Sequence, residues 1–561
     1  GQGCIHTRID FDLRSPPGIA RFRAFIEDAA DLVVRYGGSL SGEHGDGQAR
    51  GELLDKMFGP ELLEAFREFK AIWDPSARMN PGKLIDAYPL DANLRLAAYP
   101  APEMRTEFGF PDDEHTFAEA ALRCVGVGRC RKMGPGTMCP SYMVTGDERH
   151  STRGRARLLF EMLQGDPVRS GWRDHAVKEA LDLCLACKAC KSECPVNVDM
   201  ATYKAEFLSH YYAGRPRPLV AYAFGLIFLW ARLASRAPWL ANLFTQTPGP
   251  RDLAKRLIGI APERRLPAFA RTTFKRWFAR RPSPAPHPNP PPQVGRGILP
   301  SPSTGEGEGG GEPAVSKKAP VLLWPDTFTN YFHPEIGRAA VEVIEAAGFE
   351  VVVPEADLCC GRPLYDYGML GLAKRVLFQT LEVLRPHLEA GTPIVGLEPS
   401  CIAVFRDELP NLFPNEPLAA RLHDQAMLFS EFVDQHASDF DLPKLSHLAL
   451  VHGHCHQKAL MGMDNEQRVL DRLGLDYQLL DAGCCGMAGS FGFEAGARYE
   501  VSRRLGERVL LPAVREASPE TLIIADGFSC REQIAQGTGR QALHLAQLIQ
   551  LALRKSAQAP G

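Results

Sequence analysis

At 561 residues the chain is too long for one hydrophobic core, and about three or four domains are expected. Its 45% hydrophobic and 23% charged content is that of an ordinary soluble protein, and a formal net charge of −3 gives no bulk footprint for nucleic acid or an anionic membrane. Fifteen cysteines would suggest disulfides in a small secreted protein, but here they are bunched in a large chain. The chain opens Gly1-Gln2-Gly3-Cys4-Ile5-His6 without a basic-then-apolar leader, which predicts a cytoplasmic location and reads as the middle of a domain. Bunched thiols in a reducing compartment point to metal.

In chain order, residues 1–100 form one unit. Ile19, Phe22, Phe25, Ile26, Ala29, Leu32 and Val33 predict a helix over 18–36 that stops at Gly37-Gly38, and a second helix follows near 61–69. Residues 101–280 hold the first cysteine cluster and read as helical. They include an apolar run at 218–231, shorter than the roughly 20 residues a membrane span requires. A buried helix is the expectation for this run; an interfacial helix, making the protein peripheral on the inner face of the cytoplasmic membrane, is the sharper alternative. Residues 281–319 are rich in Pro, Gly and Ser with almost no large apolar side chain, and predict a disordered linker. Beyond it, β-rich runs at 321–324, 351–353, 448–451 and 522–525 alternate with amphipathic helices, giving α/β modules at 320–440 and 441–555. The fold class is therefore multidomain, α+β and α/β.

The run Cys184-Leu185-Ala186-Cys187-Lys188-Ala189-Cys190-Lys191-Ser192-Glu193-Cys194-Pro195 has the spacing of bacterial ferredoxins, in which three thiolates grip one [4Fe–4S] cube and the fourth reaches another. Two zinc knuckles are the competing reading. A second run, Cys124, Cys130 and Cys139-Pro140, has Val127 at the middle-ligand position and a long gap before Cys139. Crossing the fourth ligands over gives a complete set, Cys184, Cys187, Cys190 and Cys139. It leaves Cys124, Cys130 and Cys194 for either a [3Fe–4S] centre or a cube with a non-cysteine fourth ligand.

The α/β region repeats internally. Cys359-Cys360-Gly361 with Cys401 is echoed by Cys484-Cys485-Gly486 with Cys530. The second copy also has Cys455, flanked by His452, His454 and His456, whereas Pro325-Asp326-Thr327 occupies that place in the first. One or more clusters are expected at these modules, with buried structural thiols as the competing reading for the first copy. Cys4 has no cluster partner and is assigned to core packing.

These modules resemble the CCG domain of heterodisulfide reductase and glycolate oxidase iron–sulfur subunits. Gly3-Cys4-Ile5-His6-Thr7-Arg8, Ser41-Gly42-Glu43-His44-Gly45-Asp46-Gly47 and Met79-Asn80-Pro81-Gly82-Lys83 resemble the C-terminal part of FAD-linked oxidases of the D-lactate and D-2-hydroxyglutarate dehydrogenase type. That resemblance implies a divalent metal such as zinc on His6 and Glu43, with His44 as base or orienter at the substrate. It implies Asn80 near the flavin ring, and Glu43 and Gly45 at the cofactor. It continues through Gly136-Thr137-Met138-Cys139-Pro140-Ser141-Tyr142 and His150-Ser151-Thr152-Arg153-Gly154-Arg155-Ala156 to both CCG modules. The chain looks like the C-terminal half of a fused flavin and iron–sulfur dehydrogenase, a fragment or one part of a split enzyme, whose FAD contacts come from a further domain or a separate FAD-binding subunit. The implied activity is oxidation of a small D-2-hydroxy acid (D-lactate, D-2-hydroxyglutarate or glycolate), with electrons passing through 4Fe–4S clusters to a quinone or redox-protein acceptor. The rival readings are a non-catalytic electron-transfer subunit and a heterodisulfide-type reductase.

Overall fold

The computed structural model describes residues 7, 9–97, 104–281 and 319–558. Cys4, His6 and nearly all of the expected linker lie outside them. The chain divides into two units, Gly1–Ala101 and Pro102–Gly561.

In the first unit, helix Pro16–Arg35 is started by Ser15, whose hydroxyl accepts the Gly18 N–H, with Pro at the first helical position. The expected second helix lies within Leu54–Trp73, a longer segment broken at Gly59, whose φ of 72° precedes Pro60. A small core of Ala30, Leu53 and Leu90, packed by Phe22, Ile26 and Leu40, joins these helices.

The second unit begins with short helices that carry the first cysteine cluster. Helix Thr152–Gln164 places buried Arg155 so that its guanidinium donates to Ala180 O at 2.7 Å and Ser141 Oγ at 2.9 Å. Four short helices follow: Leu219–Gly225, Ile227–Ala234, Pro238–Gln246 and Pro250–Ile258. The expectation of one buried helix over 218–231 fails here. Leu226 leaves helical geometry and splits the run, and only Val220, Ala221, Gly225 and Ala231 in it are buried, while Leu219, Tyr222, Leu229 and Trp230 stay exposed. No helix among the described residues is long and apolar enough to cross a membrane.

Two all-parallel sheets follow. Strands β1 (Pro320–Trp324), β2 (Glu350–Val352), β3 (Ile394–Gly396) and β4 (Ala426–Leu428) take the order β2-β1-β3-β4. Strands β5 (Leu448–Val451), β6 (Asp476–Leu479) and β7 (Leu522–Ile524) take the order β6-β5-β7. The first strand of each module thus sits between its second and third, with crossover helices covering the sheet faces, as parallel pairing requires. In the second module a fourth strand is reduced to one parallel bridge, Ile524 to Leu543. One hydrophobic core spans both sheets, from Val321 and Ile336 to Val451, Val469 and Leu548.

Candidate iron–sulfur site

The two cysteine runs near residues 124 and 184 share a backbone trace. In the first, Gly126 and Gly128 are left-handed (φ 80° each); in the second, Ala186 and Lys188 are left-handed (φ 51° and 60°). Aligned on these turns, Val127 stands where Cys187 stands. Glycine meets the φ requirement freely in the first run, whereas Ala186 and Lys188 hold a conformation L side chains seldom adopt. Val127 is exposed and Cys187 is buried. Alternating handedness curls each loop so that its cysteines face one interior point.

Cys139, Cys184, Cys187 and Cys190 line one small cavity. Cys124, Cys130 and Cys194 line the adjacent one, whose other lining residues include Val127, Thr152 and Arg153 but no His, Asp or Glu. The two cavities divide these seven cysteines as the crossed-over sets do, while the Cys130 and Cys139 thiols hydrogen-bond across the division. Backbone N–H groups point at the sulfurs: Thr152 N to Cys139 Sγ at 2.9 Å, and Arg153 N to Cys130 Sγ at 3.4 Å.

The donors lining both cavities are cysteine thiols with no His, Asp or Glu among them, a set that fits iron–sulfur clusters, which are held by thiolates.

The two modules place their cysteines in the same order. In the second, hydrogen-bonding thiols run from Cys455 to Cys484, Cys485 and Cys530. In the first they run from Cys359 to Cys360 and Cys401, with the Thr327 hydroxyl bonded to Cys359 where Cys455 would stand. Gly361 N donates to Cys359 Sγ and Gly486 N to Cys484 Sγ, both at 3.4 Å. Both glycines are left-handed, at φ 80° and 90°, which aims the N–H back at the sulfur. Bonds from the Cys484 and Cys530 thiols, and from His452, hold Cys485 well below the usual thiol range, toward the thiolate that binds metal. His452, absent from the ligands expected from sequence, is buried with a ring nitrogen converging on the Cys485 and Cys530 sulfurs. Such an imidazole beside two sulfurs fits a metal site. Its signal in the sequence is the dense run His452-Gly453-His454-Cys455-His456.

The dicluster loop rests on both modules. Ala186 O accepts from Arg362 Nη2 at 2.8 Å and from His456 Nε2 at 2.9 Å. Arg362 directly follows the first module's Cys-Cys-Gly turn, and His456 directly follows Cys455. Buried Lys188 ion-pairs with Asp199 at 2.7 Å and with Asp407 at 2.5 Å, the latter from the first module. Burial raises the Cys187 thiol, and the nearby Cys455 raises it further, which puts these two sulfurs within electrostatic reach.

In the first unit, Glu43 and His44 occupy an exposed loop before helix Gly47–Arg50, with Gly45 left-handed at φ 80°. Asn80 lies in an exposed turn, also left-handed at φ 48°. Lys83 Nζ donates to Gln48 Oε1 at 2.7 Å, tying that turn to the helix after Glu43-His44. Among the described residues Glu43 belongs to no converged ligand group, and His6, its expected co-ligand, lies outside them.

Residues 1–84 match the family model of the C-terminal domain of FAD linked oxidases, residues 120–198 that of the 4Fe-4S dicluster domain, and residues 326–406 that of the cysteine-rich domain. The chain is 27% identical over 589 residues to a D-2-hydroxyglutarate dehydrogenase of Pantoea ananatis, covering 98% of this chain and 54% of that protein. It is 27% identical over 586 residues to the protein of that name in Escherichia coli (strain K12), again 98% of this chain and 54% of that one. The chain therefore spans about half the length of these relatives. Lactate utilization protein A of Bacillus velezensis is 30% identical over 243 residues, 98% of its own length and 41% of this chain. With that relative matched end to end, the chain belongs to the family of lactate utilization protein A, and it carries in this order matches to an FAD linked oxidase C-terminal domain, a 4Fe-4S dicluster domain and a cysteine-rich domain.

Proposed function

We propose that this chain carries the electron-relay half of a D-2-hydroxy acid dehydrogenase, of the D-2-hydroxyglutarate, D-lactate or glycolate type. The observation that carries the reading is the seat of the dicluster loop, where one carbonyl, Ala186 O, is gripped by Arg362 of the first module and His456 of the second. Electrons entering the dicluster domain then meet both modules through a few covalent and hydrogen bonds. A bound flavin would supply hydride acceptance from the substrate carbon, and clusters held by these cysteines would supply one-electron relay.

Cys139, Cys184, Cys187 and Cys190 would hold one [4Fe–4S] cube. Cys124, Cys130 and Cys194 would hold a [3Fe–4S] centre: Val127 faces solvent, and the cavity offers no other protein ligand. Cys455, Cys484, Cys485 and Cys530 would hold a further cluster with His452 at its edge. Cys359, Cys360 and Cys401 would hold a smaller one beside Thr327. In the first unit, His44 would take the substrate hydroxyl proton while Glu43 and His6 hold a divalent metal, with Asn80 and Gly45 beside the flavin. The flavin-binding segment would come from the same polypeptide or from a separate subunit, and the acceptor would be a quinone or redox protein at the membrane surface.

The test is anaerobic purification with iron and sulfide quantitation and EPR. Cys187→Ser should abolish one dicluster signal and leave the other. Full retention of both signals would show that the ligand sets are wrong.

A further inference from the structure

An apolar cavity of about 540 Å³ opens between the four short helices and the two modules. Its wall is aromatic, formed by Phe224, Phe269, Phe328, Phe332, Phe493 and Phe528, and the Phe328 and Phe528 rings, one from each module, stack at 4.1 Å. Its inner end reaches Cys359, Cys360 and Cys401 of the first module and Cys455 of the second. Its polar lining includes Arg362, Ser400, His456 and Ser529 together with the carboxyls of Asp326, Asp366 and Glu398. Buried His456 keeps Nδ1 without a hydrogen-bond partner.

The outer end is the mouth. Leu219, Trp230 and Leu257 line the cavity and are also exposed, Leu219 and Leu257 to 65% each. Around them the same helices expose Leu233, Trp239, Leu240, Leu243, Phe244 and Leu253. An apolar surface of this extent on a soluble face marks an interaction site. Residues 211–260 carry seven basic side chains against one acidic, Asp252, in a chain whose net charge is −3. Exposed Leu, Phe and Trp with a local basic excess is the chemistry of a helix group lying in an anionic bilayer interface.

We infer that this cavity is the site of a lipid-soluble quinone, which enters from a bilayer through the mouth formed by the helices of residues 219–258. The headgroup reaches the cysteine end, where the Arg362 guanidinium and the Ser529 hydroxyl offer donors to its carbonyl oxygens and the bare Nδ1 of His456 offers an acceptor to the quinol hydroxyl, and the isoprenoid tail lies among the phenylalanines. The balance closes: oxidising a 2-hydroxy acid to its 2-oxo acid releases two electrons and two protons, and a quinone takes up both pairs on becoming a quinol.

The inference rests on the electron-relay reading above, and its test separates the two. A short-chain, water-soluble ubiquinone is titrated calorimetrically into the iron-loaded full chain, and flotation is measured with phosphatidylcholine vesicles with and without phosphatidylglycerol. Quinone should bind, and Ala223→Trp, which plugs the cavity from its helical wall, should weaken binding at least tenfold with iron content unchanged. Thr245→Trp, a plug from a different helix, serves if that variant loses iron. The protein should float with the phosphatidylglycerol vesicles, and Leu219→Glu with Leu257→Glu should cut the floated fraction at least tenfold. Unaltered affinity in the plugged variants, absence of flotation, or displacement of quinone by a small organic disulfide would each overturn the inference. A chain that takes up no iron and sulfide would overturn the electron-relay reading instead.

Discussion

The two cysteine-rich modules share one backbone plan and differ in what they fill it with. Both run three parallel strands in the order second-first-third, and both aim a left-handed glycine N–H at the leading sulfur of a Cys-Cys pair from 3.4 Å. The first module completes a fourth strand, β4, paired to β3 over Ile394–Gly396, but has Thr327 at the fourth ligand position. The second keeps Cys455 and adds His452, yet reduces its fourth strand to the Ile524–Leu543 bridge. Sheet completeness and ligand completeness therefore vary independently. The strands and the shared core hold the loops, and the ligands are substituted on those loops without disturbing the sheet, the usual division of labour between scaffold and site.

The comparison breaks most visibly at the middle of the second cysteine chain. Cys485 is bonded to both neighbours, Cys484 and Cys530, and lies against His452. Cys485→Ser should abolish that module's EPR signal and its share of the iron while the dicluster signals persist. Cys360→Ser should do the same for the first module alone. Loss of both modules' signals from either substitution would mean one shared cluster in place of two.

A smaller effect sharpens the difference in ligand count. Thr327 is buried, begins helix Thr327–Tyr331 and already bonds Cys359, so a thiol there needs no rearrangement. Thr327→Cys should raise bound iron by about one atom per chain and make the first module's spectrum approach the second's, as a fourth thiolate completes a cluster. Unchanged iron content with the chain folded would show that the first module is a structural thiol cluster.

Much of this was legible in the sequence, because thiolate ligands must be close in space and close-spaced cysteines on one loop achieve that locally. The crossed-over sets, the repeat, and Val127 as the gap in the first run all follow from spacing. The short strands β3, β4 and β6 carried less signal: Ile394–Gly396 and Ala426–Leu428 are three residues each, and Asp476–Leu479 alternates polar with apolar beside a longer helix pattern. The grip of Arg362 and His456 on Ala186 O is a long-range fact, set by where separate modules pack, and no local pattern encodes it. The 218–231 run departs from a buried helix for the same reason. Its apolar residues looked like a core helix, but their partners are a cavity and a surface, and only the tertiary arrangement distinguishes those from a core.

The smallest predicted effect concerns a buried carboxyl that one module has and the other lacks. Glu466 is the third residue of helix Asp464–Arg472, and Ile336 is the third residue of the corresponding helix Pro334–Ala346 in the first module; both are buried. Burial, together with the neighbouring Asp526, pushes the Glu466 carboxyl well above the ordinary range, while Gln457 Nε2 donates to its Oε2 at 2.7 Å. A carboxyl whose pKa is raised in the folded state binds its proton more tightly there than in the unfolded chain. Its contribution to stability is therefore fully present below the unfolded pKa of about 4.3 and is lost as pH rises from there through the folded value. Glu466→Gln keeps the side-chain shape and an acceptor for Gln457 but has no charge to bury. The melting temperatures of the parent and variant should accordingly lie close together near pH 4.5. The variant should then lead by a growing margin, on the order of a few degrees by pH 8.5, scaling as about 2–4 °C per kcal/mol for a domain of this size. Ile336→Glu in the first module should reproduce the loss with rising pH that the parent shows in the second. Parallel melting curves for parent and Glu466→Gln across that range would show that the Glu466 carboxyl titrates in the folded protein as it does in the unfolded chain.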